Sequence, residues 1–146
     1  MIKTGDPSTI NDLAWLGGEW AQDCAIEDFD ADNWLELVRG YSIYVDYCAR
    51  CLYDERRQPI GFVLGAIVKI PHNHRMTAQI HYMYVQPQAL THAALWELHS
   101  EFESWAESFQ VQEIAAPDFY SIPDAYLEFF KEIGYESGYV TYNKGI

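Results

Sequence analysis

The sequence predicts a mixed α+β fold, and three observations carry that reading. Residues 60–68, IGFVLGAIV, are almost continuously apolar, which marks a strand buried on both faces. Leu95, Leu98, Phe102, Trp105 and Phe109 recur at 3-4-3-4 spacing, the stripe of an amphipathic helix. Between these two patterns, VQPQALTHAALWEL (residues 85–98) reads as a strand that ends, turns at Pro87 and runs directly into that helix.

The remaining elements follow in chain order. MIKTG is a short opening strand. DPSTINDLAWLGGEWAQD has helix-start chemistry, with Asp6 or Ser8 as cap and Pro7 near the first turn; Ile10, Leu13, Leu16 and Trp20 give it an apolar stripe. DADNWLELVRG predicts a short second helix closed by Gly40. YSIYVDYCARCLYD and PIGFVLGAIVKI are two strands joined by ERRQ as a hairpin, and AQIHYMYVQ is a third. The helix THAALWELHSEFESWAESF is followed by a short strand, VQEIAAP. PDAYLEFFKEIG is a helix capped near Asp124 and ended by Gly134, and YESGYVTYNKG closes the chain as a strand or hairpin. The predicted order is β-α-α-β-β-β-α-β-α-β, within a single domain spanning residues 1–146.

Composition narrows the function classes. At 146 residues and 49% hydrophobic content, the chain can bury a proper core. A net charge of −13 with nine Lys and Arg argues against nucleic acid, whose phosphates demand cations. No apolar run approaches the ~20 residues of a membrane span, and MIKTGDPSTI lacks the apolar core of a signal peptide, so a cytoplasmic protein with no membrane partner is expected. Three cysteines do not make a disulfide framework. Cys48 and Cys51 have CxxC spacing, but residues three apart on a strand face opposite ways and cannot share a metal. His72 and His74 lack carboxylate or Cys partners at suitable spacing and read as a polar turn, so no metal site is expected. Residues 19–36 hold Glu19, Asp23, Glu27, Asp28, Asp30, Asp32 and Glu36 without one Lys or Arg. That segment reads either as a solvated surface or as a cation-attracting rim.

The junction at residues 85–98 and the end of the chain together resemble the GNAT superfamily of acyl-CoA-dependent N-acyltransferases. The shared features are Val85-Gln86-Pro87 between a strand and a long helix, and Phe130-Lys131-Glu132-Ile133-Gly134-Tyr135 before a last strand. The resemblance covers nearly the whole chain and implies a GNAT-like, mostly antiparallel central sheet of six to seven strands flanked by about four helices. It implies acetyl-CoA as cofactor, with the pantetheine arm along the strand edge at Met83, Tyr84 and Val85. The pyrophosphate would lie on backbone N–H groups at Leu90, Thr91, His92, Ala93 and Ala94. His81, four residues before Val85, stands near where relatives carry a basic carboxylate, and Tyr126 is the nearest replacement for a tyrosine acid at the position held here by Phe130. Glu27, Asp28 and Asp30 would border the acceptor, a small-molecule or peptide amine, and a homodimer is one assembly the family allows.

The sequence also departs from that family. Its loop signature, Arg/Gln-x-x-Gly-x-Gly/Ala, falls on Leu90, Ala93 and Leu95 when anchored on Val85-x-Pro87, and slid back by two residues on Gln88-x-x-Thr91-x-Ala93, with threonine where glycine belongs; either way the loop holds no glycine. Thr91 can cap the helix and so take an N–H that a phosphate would use. Two functions therefore stand as expectations: an N-acyltransferase acting on a cationic amine, or a GNAT-fold protein, phage-associated for example, that has lost catalysis and serves as a binding or structural module.

Overall fold

The computed structural model describes residues 3–5, 10–69, 75–116 and 123–135. The expected cap at Asp6 or Ser8, the His72–His74 turn and the closing strand over residues 136–146 lie outside them. Nine elements follow the predicted order: β1 (Lys3–Gly5), α1 (Ile10–Asp23), α2 (Ala31–Ile43), β2 (Tyr47–Tyr53), β3 (Pro59–Lys69), β4 (Met76–Val85), α3 (His92–Glu107), β5 (Glu113–Ala115) and α4 (Asp124–Glu132). A single 3-10 turn, Pro87–Ala89, links β4 to α3.

The strands form one sheet in the order β1-β2-β3-β4-β5. The first four are antiparallel neighbours and β5 joins β4 in parallel. Five strands are thus present among the described residues, not the six to seven expected, because the segment expected to add more lies beyond residue 135. The ERRQ hairpin forms as read: Asp54 Oδ1 accepts from the N–H groups of Arg56 and Gln58, which closes the turn. The second helix does not stop at Gly40. It continues to Ile43, since Gly40 is followed by residues that keep the backbone ladder, and Tyr44 makes the cap with its N–H on the Gly40 carbonyl. The last helix starts after Pro123 without a side-chain cap; Asp124 sits in its first turn. It ends at Gly134, whose φ of 105° is the left-handed conformation that glycine supplies without strain.

Each face of the sheet carries its own core. On one face α3 and α4 cover Cys48, Leu52, Val63, Ile80, Met83 and Val85. On the other α1 and α2 cover Ala49, Cys51, Phe62, Leu64 and Tyr84. Cys48 and Cys51 therefore enter different cores, as their spacing requires. β3 is buried from Ile60 to Ala66, which explains why its sequence is apolar without alternation.

Two contacts set how closely the helices pack. The Trp34 indole N–H donates to the Leu13 carbonyl at 3.0 Å, crossing α1 where Gly17 has no side chain. A Cβ at Gly17 would stand 1.9 Å from Trp34 Nε1, whereas one at Gly18 would meet nothing within 4 Å. On the opposite face, His99 is 4% exposed; its Nε2 meets the Tyr135 hydroxyl at 2.6 Å while Nδ1 has no hydrogen-bond partner. Burial lowers the His99 pKa from 6.5 to about 4, so the ring is neutral and Glu103, 3.6 Å away, does not hold a proton on it.

These two sites make opposite kinds of prediction. Gly17→Ala should destabilise the protein by about 1–3 kcal/mol, because the indole must move and lose its carbonyl. Gly18→Ala should stabilise it by up to ~1 kcal/mol through helix propensity alone. Urea melts of both variants check this, and equal effects would contradict the packing. For His99 the unfolded chain binds the proton more readily than the folded one. Stability is therefore full above about pH 6.5 and falls as pH drops toward 4. The loss is on the order of 2–3 kcal/mol, and His99→Gln should flatten that part of the pH–stability curve.

Candidate functional site

The candidate site lies where β4 outruns its partner. β5 pairs with β4 only through Thr77, Ala78 and Gln79, and among the described residues no strand covers that edge from residue 80 to residue 85. Gln86 N–H donates to the Ile60 carbonyl on the β3 side at 2.8 Å, so by strand alternation the Val85 peptide groups face the open edge. There the Tyr126 hydroxyl meets both of them. It accepts from Val85 N–H at 2.8 Å and donates to the Val85 carbonyl at 3.2 Å. Tyr126 is 4% exposed, and burial first of all pushes its pKa up to about 12, so it carries its proton at neutral pH.

A bulge decides what surrounds this edge. Leu64 pairs with Tyr82 and Gly65 with Ile80, which leaves His81 as the extra residue in β4. Ala78 and Ile80 point to the α3/α4 core, as do Met83 and Val85 after the bulge. Tyr82 and Tyr84 point to the α1/α2 side. Tyr84 donates a short hydrogen bond to the Asp23 carboxylate at the end of α1. Burial, followed by that carboxylate, raises the Tyr84 pKa and keeps it protonated. Asp23 and Cys24 also lie within electrostatic reach of Tyr126, and Glu19 within reach of Tyr84. The end of α1 thus borders the end of β4.

The residues expected from the sequence are only partly brought together. Met83, Tyr84, Val85 and Tyr126 converge. His81 does not join them: it lies on the α1/α2 side, where its Nδ1 shares a short hydrogen bond with the Tyr41 hydroxyl. Burial lowers the His81 pKa, so its neutral form predominates at pH 7. Glu27 and Asp28 are exposed in the connection from α1 to α2. Asp30 Oδ1 is engaged as the cap of α2, accepting from Asp32 N–H at 3.0 Å and Asn33 N–H at 3.1 Å. Sequence reasoning placed Asp23 in the acidic segment without its tie to Tyr84, since nothing local signals a contact sixty-one residues away.

Leu90, Thr91, His92, Ala93 and Ala94 form the start of α3, as expected. Thr91 is its cap, and its Oγ1 accepts from Ala94 N–H at 3.1 Å. His92 Nε2 lies 3.0 Å from Glu132 Oε2 and its ring packs edge-on against Phe129. Between α3 and α4 runs a groove of about 210 Å³, lined in part by Leu95, Glu128 and Glu132. A coenzyme A thioester would meet two different surfaces here. The Val85 peptide fits the pantetheine end, which needs one N–H and one carbonyl on an open strand edge. The start of α3 does not fit the pyrophosphate end: one N–H is taken by Thr91, and the described residues lining the groove include two carboxylates, one of them paired with His92, and no Lys or Arg.

Comparison with known proteins gives the fold a name. No family model and no curated protein matches the sequence. Solved structures do match. A ribosomal-protein-alanine N-acetyltransferase from Brucella melitensis superposes with a TM-score of 0.77 at 15% identity over 100% of this chain and 98% of its own. An aminoglycoside 6'-N-acetyltransferase from Acinetobacter baumannii gives 0.75 at 18% identity over 100% and 99%. A predicted acetyltransferase from Clostridium acetobutylicum, solved with acetyl-CoA, gives 0.78 at 13% over 98% and 95%.

The site analysis makes one prediction about His81. Its imidazole signals should titrate with a midpoint below the ordinary 6.5, because burial opposes the charged form. A midpoint at or above that value would show that the ring is solvated and free of Tyr41. With its splayed β4 edge and its strand–turn–helix junction, the chain has the fold of the GNAT acetyltransferases, in a divergent form whose α3 start carries no glycine.

Proposed function

We propose that this protein transfers an acyl group from a thioester to an amine. One observation carries the reading: the Val85 N–H and carbonyl face an open strand edge and are met by a protonated tyrosine hydroxyl rather than by another strand. An N–H in that position polarises a thioester carbonyl and stabilises the oxyanion that forms on attack. Tyr126 turned off Val85 has its proton available for the leaving thiolate. Asp23, held by Tyr84, provides a carboxylate at the same end of β4 to bind an ammonium and take its proton. His81, the base expected from the sequence, is engaged by Tyr41 on the same α1/α2 side, whereas Asp23 is held at the end of β4 by Tyr84.

The acceptor that suits this surface is cationic. Asp23, Glu27 and Asp28 are exposed at the end of α1 and in the connection after it, with Glu19 half-buried nearby, and like charges there raise the local concentration of a polyamine or basic peptide. Acetyl-CoA is the donor that the fold's relatives suggest. A second reading, a lapsed enzyme that serves as a binding module, is favoured by the capped and paired start of α3.

Tyr126→Phe separates these readings. Removing the hydroxyl frees the Val85 peptide, so donor affinity measured by calorimetry should rise, by up to about tenfold for one exchanged hydrogen bond. Loss of the acid should lower kcat by roughly 10²-fold. Parent protein that acylates no polyamine or basic peptide, with a variant that binds no donor, would favour the lapsed module.

A further inference from the structure

The groove between α3 and α4 opens beside the start of α3, and it has the wrong chemistry for the far end of coenzyme A. Among the described residues, its lining includes Glu128, Glu132 and His92 and no Lys or Arg, and His92 pairs with Glu132 at 3.0 Å. Its volume of about 210 Å³ falls below the ~300–1,000 Å³ of pockets that engulf a drug-sized ligand such as a nucleotide. The helix start that would hold a diphosphate gives its Ala94 N–H to Thr91 Oγ1. Lys131, in the last turn of α4, is not among the residues lining the groove, and the protein as a whole carries −13.

We infer that the acyl donor is a pantetheine thioester lacking the nucleotide diphosphate, and that Glu128 and Glu132 make this selection. The inference rests on the acyl-transfer reading and sharpens it. The neutral pantetheine amides need only the strand edge at Val85, which this chain retains. A diphosphate would bring negative charge against two carboxylates, with no Lys or Arg among the described residues that line the groove. The reaction itself is unchanged: the amine nitrogen forms the amide bond, the C–S bond breaks, the amine proton leaves to a carboxylate and the thiolate is protonated. Such a donor is found free or on the phosphopantetheine arm of a carrier protein, and both present the same chemistry to the β4 edge.

The test is calorimetric and needs no turnover. Parent protein is titrated with acetyl-CoA, with S-acetylpantetheine and with an acetylated phosphopantetheinyl carrier protein, at low salt and at about 0.3 M salt. S-acetylpantetheine should bind at least as tightly as acetyl-CoA. Acetyl-CoA affinity should increase with salt, because screening within a Debye length relieves repulsion, whereas a phosphate-holding site loses affinity with salt. Glu128→Gln with Glu132→Gln should tighten acetyl-CoA several-fold at low salt and leave S-acetylpantetheine unchanged; both glutamates are exposed, so the fold is not at stake. Glu128→Gln alone, which spares the His92–Glu132 pair, should give part of that gain. Tighter binding of the carrier protein than of S-acetylpantetheine would assign the donor to a carrier, and equal binding to the free thioester. Acetyl-CoA binding more than about tenfold tighter than S-acetylpantetheine, and weakening with salt, would overturn the inference while leaving acyl transfer standing. Binding of none of the three would overturn acyl transfer and the inference with it.

Discussion

The arrangement depends on one extra residue in β4. A strand sends alternate side chains to opposite faces, so a single insertion exchanges the faces for everything beyond it. With His81 bulged out, Met83 and Val85 pack toward α3 and α4, while Tyr82 and Tyr84 turn toward α1 and α2. Had the strand run without the bulge, Val85 would face α1 and Tyr84 would stand where Tyr126 arrives. With the bulge in place, Tyr84 reaches Asp23 at the end of α1, and the next residue, Val85, presents its peptide to Tyr126.

That stretch can stay open at its edge because the sheet is secured elsewhere. β3 contributes two glycines where neighbours come close. A Cβ at Gly65 would lie 2.3 Å from the Gln79 carbonyl and 2.4 Å from the Phe102 ring, and one at Gly61 would lie 2.6 Å from the Tyr84 carbonyl. Phe102 thus reaches the sheet, and α3 sits low enough for Leu95, Leu98 and Phe102 all to be buried. On the other face a connected set of rings, Trp20, Phe29, Trp34, Phe62, Tyr82 and Tyr84, packs at centroid distances of 5.3–6.2 Å, and the Trp34 hydrogen bond fixes one helix against the other. Aromatic pairs of this kind contribute about 0.5–1.5 kcal/mol beyond the area they bury. The end of α1 is held by that packing, and Asp23 with it.

The charge distribution then divides the site. At the end of α1 the carboxylates stand beside a strand edge that suits an amine's approach to a thioester. Beside the start of α3, Glu128 and Glu132 line the groove that Thr91 and His92 also border. On the reading proposed above, acidity favours a cationic acceptor at one end and disfavours a nucleotide donor at the other, and the reach of exposed groups is limited by salt.

Much of this fold was legible in the sequence by itself. The unbroken apolar run of β3, the 3-4-3-4 stripe of α3 and the Val-x-Pro junction are local signals, because burial on two faces, on one helical stripe, and a forced turn each write their own residue pattern. The capping role of Thr91 and the opposite orientations of Cys48 and Cys51 were legible for the same reason, as each depends on residues no more than three apart. Gly40 misled, since a glycine can end a helix or simply lie within it, and the choice was made by the backbone beyond it. The partners of the candidate site residues were not legible: Tyr126 on Val85, Asp23 on Tyr84, Tyr41 on His81 and Glu132 on His92 all join residues forty or more positions apart. Only the tertiary structure could decide those, because a bulge changes which face a side chain takes without leaving a mark in composition or period, and a hydrogen bond between distant segments exists only once the packing between them has been settled.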